Sequence, residues 1–170
     1  MTKAAMGNDA TVLVVGATGA RGGSVARHLL GRGFRVRALT RDPSSAPARA
    51  LARAGAEVVA GDLADRARLR AALAGCWGAF GAIPARGPVE AARLLGRNLI
   101  HAVEGSEIEH FVFRLPPAAD GEDGLEAYAR SLGLPATYVR VTSHLPDDLG
   151  ARVAAIFARP GPYVGRTLTV

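Results

Sequence analysis

Cysteine is nearly absent from this sequence, and so are long hydrophobic runs. Cys76 is the only cysteine among 170 residues, which excludes an intramolecular disulfide and a multi-cysteine metal site and fits a reducing compartment. We interpret Cys76 as a small packed residue. The apolar stretches are broken by Gly, Arg or Pro well before the roughly 20 residues that a membrane helix needs, and no export signal precedes residue 11. We therefore expect a soluble cytoplasmic protein, or a nuclear one in a eukaryote, without membrane contact.

Lysine is equally scarce, so the positive charge comes from arginine. Lys3 is the only lysine beside 20 arginines in a chain of net charge +6. The arginines form no dense basic run, whereas a nucleic-acid surface needs a clustered face or stripe. We therefore expect no binding of DNA or RNA. The four histidines show no metal-ligand spacing, so we expect no metal site.

Strand-like and helix-like patterns alternate from Thr11 onward. Residues 1–10 are polar and predict a flexible tail, and residues 116–124 predict a mobile loop. The run 11–16 is continuously apolar and ends in glycine, which predicts a central strand buried on both faces. Further strands are predicted at 34–39, 57–60, 77–83, 110–114, 137–141 and 167–170, and helices at 24–30, 46–54, 64–74, 88–103, 125–132 and 147–158.

This alternation predicts an α/β fold in which one Rossmann-type domain occupies residues 11–170. The sheet is expected to be parallel and doubly wound, with helices on both faces, so that the domain has three layers. Right-handed crossovers favour the strand order 3-2-1-4-5-6, with a short seventh strand after the sixth.

The most informative motif is the glycine-rich turn from Gly16 to Gly23, which joins a predicted buried strand to a predicted helix. Gly16 can form the tight turn, Gly19 lets a pyrophosphate approach the backbone, and Gly22 lets the helix pack close to the strand. Amides at the helix N-terminus, with its partial positive charge, would hold the phosphates. The spacing G-x-x-G-x-x-G is typical of extended and atypical short-chain dehydrogenases. The alternative is a structural turn in a domain that binds nothing.

Residues after the second strand predict which dinucleotide binds. Folds selective for NAD carry an acidic residue at the end of this strand, whereas here the end is Thr40-Arg41-Asp42. Arg41, with Arg37, can pair with a 2′-phosphate, so we expect NADP(H) as the cofactor and weaker binding of NAD(H). The alternative for Arg41 is a solvated surface arginine. Asp42 precedes Pro43 and is interpreted as a loop or cap residue.

Gly61-Asp62-Leu63 follows the third strand. Asp62 can accept from the exocyclic amine of adenine while Leu63 covers the ring, or Asp62 can cap the helix predicted to begin near Ala64. These two roles are compatible, and both stay open.

Several segments resemble the NmrA-like family of atypical short-chain dehydrogenases. They are VGATGARGGSVA at 15–26, VRALTRDP at 36–43, GAEVVAGDL at 55–63, GRNLI at 96–100, HFVF at 110–113 and LEAYAR at 125–130. The segments 148–157 and 163–168 look like a later part of the family sequence. The family implies a Rossmann fold that binds NADP(H) or NAD(H), and it includes redox-sensing regulators as well as reductases. By resemblance, phosphate and ribose contacts fall on Gly16, Thr18, Gly19, Ala20, Arg21 and Gly22, the 2′-phosphate contact on Arg41, and the adenine contacts on Asp62 and Leu63.

The sequence also departs from the family pattern. Few residues lie between Val141 and Asp148, and none follow Val170, where family members continue into a substrate-binding lobe, so we expect most of that lobe to be missing. Arg114-Leu115 stands where many relatives have Ser or Thr, and Ile83-Pro84 where many have a polar segment. Glu122 falls at the position of a family lysine.

The residues of a reductase are not evident. A Tyr-x-x-x-Lys pair would let the lysine lower the pKa of the phenol, but Tyr128, Tyr138 and Tyr163 have no lysine partner. His144 is the best remaining candidate for a proton donor, and it is a weak one. We therefore expect no catalytic residues.

The leading hypothesis is a non-catalytic module that binds NADP(H) and reports redox state by associating with a regulatory protein or with a second copy of itself. The alternative is an NAD(P)H-dependent oxidoreductase, such as a quinone reductase, whose pocket is completed by a second subunit. A third alternative is a degenerate product without a selected function.

Overall fold

The fold is a seven-stranded parallel sheet between two layers of helices. The computed structural model describes residues 9–84, 87–115, 124–142 and 145–170. Its strands are β1 (Thr11–Val15), β2 (Arg35–Thr40), β3 (Glu57–Ala60), β4 (Gly78–Ala82), β5 (His110–Arg114), β6 (Ala136–Arg140) and β7 (Thr167–Thr169). Its helices are α1 (Ala20–Gly31), α2 (Ala46–Arg53), α3 (Arg66–Leu73), α4 (Val89–Glu104), α5 (Leu125–Ser131) and α6 (Pro146–Ala158).

The strand order is β3-β2-β1-β4-β5-β6-β7, and every neighbouring pair is parallel. This confirms the predicted fold class and order, and the short seventh strand lies beside β6. The chain reverses its direction of winding between β1 and β4, which creates the switch point where ligands of open α/β sheets bind. β1 is buried, as its apolar run predicts, but the middle position belongs to β4.

Two apolar layers hold the helices against the sheet. Leu69, Leu99 and Leu125 bring α3, α4 and α5 onto one face. On the other face, α1, α2 and α6 are anchored by residues that include Leu29 and Leu149. Burial of each such leucine contributes about 2 kcal/mol, and these layers set the positions of the loops at the sheet edges.

Helix α1 begins at Ala20, four residues earlier than predicted. Glycine has low helix propensity, which favoured a start at Ser24, but Gly22 and Gly23 are buried inside the helix. Helix α3 begins at Arg66 rather than Ala64, because Asp65 accepts a hydrogen bond from the amide of Arg68 and so forms the N-cap. The predicted tail at 1–10 and loop at 116–124 fall almost entirely on residues 1–8 and 116–123, outside the described residues.

A buried histidine links the fifth and sixth strands. His110 is fully buried, and its Nε2 lies 2.8 Å from the hydroxyl of Thr137, which itself donates to the carbonyl of Tyr163 at 2.9 Å. Because the hydroxyl has a single proton, we assign the Nε2–H tautomer to His110. Burial lowers the pKa of His110 from 6.5 to about 4, so the folded protein holds this imidazole neutral.

We predict that this histidine makes the protein less stable in mild acid. Below pH 6.5 His110 is protonated in the unfolded chain but stays neutral in the folded chain. The free energy of unfolding therefore falls progressively as the pH decreases to about 4. The loss amounts to about 3 kcal/mol, at 1.36 kcal/mol per pKa unit. Urea unfolding of wild type and His110→Gln at several pH values measures it: the difference should shrink as the pH falls. Parallel pH profiles would contradict the assignment.

Candidate dinucleotide site

A cleft of about 440 Å³ opens at the carboxyl ends of the first four strands. We call it the edge cleft. It is lined by Val15, Gly16, Thr18, Leu39, Thr40, Arg41, Gly61, Asp62, Leu63, Ala82, Pro84 and Leu95. Its volume falls in the range of small-molecule sites, and it lies beside the switch point between β1 and β4. Five of the residues predicted to contact the dinucleotide, Gly16, Thr18, Arg41, Asp62 and Leu63, are thus brought together from three separate loops.

The three glycines of the turn differ in what they do. Gly16 has φ of +74°, a left-handed conformation that disfavours other residues. A Cβ on Gly22 would lie 2.0 Å from the carbonyl oxygen of Gly16, so only glycine lets α1 pack this closely on the turn. Gly19 has φ of −79°, and a Cβ there would meet nothing nearer than 3.4 Å. The fold therefore requires glycine at 16 and 22, while Gly19 is exposed and leaves room for a ligand.

The N-terminus of α1 has no side-chain cap. Ser45 caps α2 and Asp65 caps α3, each by accepting a hydrogen bond from a backbone amide. Helices α4, α5 and α6 have no side-chain cap but carry an acidic residue in the first turn. Helix α1, whose N-cap is Gly19, has neither a capping side chain nor an acidic residue in its first turn. The first amides of a helix have no partner within the helix. Those of α1 therefore face the turn with their partial positive charge uncompensated, in the arrangement that binds phosphates. Ala20, in this first turn, is exposed.

Arg41 stands at the rim of the edge cleft, directly after β2. Its side chain is exposed and makes no hydrogen bond or ion pair with any described residue. The neighbouring Asp42 turns away, since its Oδ1 accepts from the amide of Ser44 at 2.9 Å and from the hydroxyl of Ser44 at 2.5 Å. These bonds lower the pKa of Asp42. Asp42 is therefore a loop residue, as predicted, and Arg41 is the positively charged residue of the described cleft lining.

The expectation that Arg37 assists Arg41 is wrong. Arg37 donates from Nε to Glu57 at 2.9 Å and from Nη1 to the carbonyls of Ala72 and Ala74 at 2.8 and 2.7 Å. These bonds tie β2 to β3 and to the end of α3, away from the edge cleft. Cys76 is buried beside this arginine, and burial raises the pKa of its thiol, which agrees with a packed residue.

Asp62 and Leu63 form one wall of the edge cleft. Asp62 Oδ1 accepts from the amide of Ala64 at 2.9 Å, so it caps a turn rather than helix α3, and its Oδ2 has no described partner. The Leu63 side chain is only 7% exposed. Its carbonyl accepts from the side chain of Asn98 on α4 at 3.0 Å. Asn98 lies in the segment 96–100 that resembles the family, but nothing in the sequence pattern indicates this role. Its amide fixes the loop that carries Asp62 and Leu63.

Arg21 lies in the first turn of α1 but does not line the edge cleft. Its side chain is half-buried, and its Nε has no hydrogen-bond partner among the described residues. Gly22 lies behind it in the helix, where the contact with Gly16 gives it a packing role.

No residue with the usual chemistry of a reductase is found in the described lining of the edge cleft, which has no tyrosine, lysine or histidine. The Tyr128 hydroxyl lies 2.9 Å from Nε2 of His101, whose Nδ1 lies 3.3 Å from Glu104. This chain of contacts joins α5 to α4 and does not reach the lining residues. Glu122 and His144, which sequence reasoning considered, lie outside the described residues.

The model of the NmrA-like family matches residues 8–146. The chain belongs to this family. Among curated relatives, it is 36% identical to the NmrA-like family domain-containing oxidoreductase FrzB of Cladobotryum sp and 32% identical to the oxidoreductase lnaB of Aspergillus flavus, in both cases over 86% of this chain and 50% of the relative. The chain thus spans about half the length of these NmrA-like relatives.

Solved structures show the same fold. The Citrobacter sp. triphenylmethane reductase complexed with NADP(H) superposes with a TM-score of 0.78 at 19% identity, covering 95% of this chain and 69% of that one. NmrA, a negative transcriptional regulator, superposes with a TM-score of 0.79 at 19% identity, covering 95% and 66%. Similarity at this level of identity establishes the Rossmann architecture of this NmrA-like chain.

Neither a metal-binding cluster nor a membrane-spanning helix is found in the described ranges. Within the described ranges, no group of three or more His, Cys, Asp or Glu side chains is arranged to hold a metal ion. No helix in the same ranges combines the length and the apolar character needed to cross a membrane.

Proposed function

We propose that this chain binds NADP(H) along the carboxyl edge of its sheet, with the adenosine half in the edge cleft and the pyrophosphate at the N-terminus of α1. The observation that carries the proposal is the meeting of three features at one edge. They are a helix N-terminus without a side-chain cap, the arginine Arg41, which no described residue pairs with, and the carboxylate of Asp62. These features match phosphate, 2′-phosphate and adenine in turn.

Each part of the cofactor would contact a different group of the chain. Arg41 would pair with the 2′-phosphate through its guanidinium, at no cost to an existing ion pair in the described structure. Asp62 would accept from the exocyclic amine of adenine through Oδ2, because Oδ1 is already used in the turn. The buried Leu63 would pack against the ring. The exposed Gly19 leaves space for the pyrophosphate to reach the helix amides. Solved NADP(H) complexes of structural neighbours support the same cofactor class.

We further propose that the chain binds its cofactor without turning it over and signals redox state through another protein. The support is chemical. Hydride transfer usually needs a positioned proton donor, and the described lining of the edge cleft contains no tyrosine, lysine, histidine or cysteine. Lys3 is the only lysine of the sequence, and no tyrosine is followed by a lysine at the fourth position.

A reductase is the second candidate, and the relatives favour it. FrzB and lnaB are named oxidoreductases, and this chain corresponds to about half of each. In that case the proton donor and acceptor pocket would come from beyond the matched half or from a second subunit.

We predict that NADPH binds more tightly than NADH and that Arg41 causes the difference. Arg41→Ala should lower the affinity for NADPH by about 10- to 100-fold, because it removes one charge-assisted hydrogen bond that contributes about 1.5–3 kcal/mol. The affinity for NADH should stay nearly unchanged. Calorimetric titration measures both constants. Arg53→Ala, which removes an exposed arginine at the far end of α2, is the control for net charge and should change neither constant.

A second variant tests the location of the pyrophosphate. Gly19→Val should fold, because its backbone is in the extended region, yet should lose both dinucleotides, because the branched side chain fills the approach to the helix amides.

Each of these two predictions has an outcome that would contradict it. Equal affinity of wild-type protein for NADPH and NADH would refute the role of Arg41. Retained micromolar binding by a folded Gly19→Val variant would show that the phosphates bind elsewhere.

We also predict that this chain does not measurably oxidise NADPH with small quinones or carbonyl compounds. Without a positioned proton donor the rate of hydride transfer falls by several powers of ten, and without a positioned acceptor it falls by a similar factor. The decrease of NADPH absorbance measures turnover, and the folded Gly19→Val variant sets the background. Steady oxidation by wild type that disappears in this variant would overturn the non-catalytic role and favour the reductase.

A further inference from the structure

Arg114 is a buried cation for which the described residues supply no partner. It ends β5 and is only 9% exposed, its Nε has no hydrogen-bond partner, and no ion pair joins it to any described residue. A buried guanidinium is costly unless an anion compensates it. The structural role expected of a buried arginine, an ion pair that joins two elements, is the one that Arg37 performs with Glu57 and that Arg114 does not.

The alternation of β5 shows where this side chain points. Phe111 and Phe113 pack in the layer under α3, α4 and α5, whereas Val112 packs in the opposite layer under α1 and α6. Side chains two residues apart in a strand share a face, so Arg114 projects toward α1 and α6. Its ladder partner in β4 is Ala82, which lines the edge cleft. Arg114 therefore lies beyond the cleft, on the side of the switch point away from β2.

Arg21 approaches the same place from the helix. It lies in the first turn of α1, and its Nε is likewise buried and meets no hydrogen-bond partner within the described part of the chain. Burial and the nearby charge of Arg21 both lower the pKa of Arg114, so the two cations repel each other. Two like charges, neither paired with a described carboxylate, thus meet at a helix N-terminus that also lacks a cap.

We propose that Arg21 and Arg114, with the first-turn amides of α1, form a binding site for a diphosphate, which in the proposed function is the pyrophosphate of NADP(H). The pairing balances charge, because two guanidinium groups face the two negative charges of a dinucleotide pyrophosphate. Guanidinium groups also bind phosphate oxygens through several N–H donors at once. The identity of the dinucleotide rests on the proposed function, whereas the diphosphate site rests on the arginines and the helix.

The site gives the buried charge of Arg114 a role, because this side chain brings a guanidinium group to the pyrophosphate. Without the ligand, the two arginines destabilise the folded chain, and the ligand removes this penalty by binding only the folded state.

The test compares wild type with Arg114→Met and Arg21→Met, which keep apolar length and remove the charge. Arg159→Met, at the opposite end of α6, is the control for net charge. Calorimetry with NADPH, ADP-ribose and adenosine 2′-monophosphate separates the parts of the ligand. Each site variant should lower the affinity for NADPH and for ADP-ribose by about 10- to 100-fold. The affinity for adenosine 2′-monophosphate, which has no diphosphate, should stay unchanged.

Thermal melting with inorganic pyrophosphate gives a second readout that needs no dinucleotide. Free Arg114→Met should melt at a higher temperature than free wild type, and pyrophosphate should raise the melting temperature of wild type but not of this variant. If folded Arg114→Met binds NADPH as tightly as wild type, the diphosphate site is refuted and the proposed cofactor stands. If wild type binds pyrophosphate through both arginines but no dinucleotide, the proposed cofactor is refuted and the diphosphate site stands.

Discussion

The close packing of helix α1 on the turn after β1 is the constraint on which the functional edge depends. A side chain at Gly22 would collide with the carbonyl oxygen of Gly16, and Gly16 itself occupies a left-handed conformation. Only with both glycines can α1 start as early as Ala20 and aim its first amides at the carboxyl edge of the sheet. The phosphate-binding character of the helix end is therefore a consequence of backbone packing, and Gly19 provides the access.

Charge at this edge is arranged differently from charge elsewhere in the described structure. Arg37 is satisfied by Glu57 and by backbone carbonyls, and Glu126 holds both Arg130 and Arg140. Arg114 is buried and Arg21 is half-buried, and the described residues supply neither of them with such a partner. Because an unpaired buried charge opposes folding, its retention at the edge where a dinucleotide would lie favours a role in binding an anion.

The strand order and the loops of the edge cleft could be predicted from sequence, because both follow from general rules of parallel sheets. Residues after consecutive strands meet at one edge, which brings Arg41 and Asp62 together without any knowledge of their contacts. The start of α1 was predicted too late, because glycine disfavours a helix locally while packing against Gly16 requires it. Local propensity and tertiary packing conflict here, and packing decides.

The hydrogen-bond partners of long side chains could not be predicted from the sequence. The pattern of β2 does not show that Arg37 reaches the carbonyls of Ala72 and Ala74 at the C-terminal end of α3, so its pairing with Arg41 was predicted wrongly. The bond from Asn98 to Leu63 spans two elements and leaves no periodic signal. For the same reason Arg114 was noticed only as a departure from relatives. Its burial and its lack of a partner are three-dimensional facts.

A structure of this chain crystallised with NADPH tests the central claim most directly, since it locates every part of the ligand at once. The account predicts adenine between Asp62 and Leu63, the 2′-phosphate at Arg41 and the pyrophosphate over Gly19 at the start of α1. NADPH bound away from the carboxyl edge, or bound there with its pyrophosphate remote from α1, would contradict it.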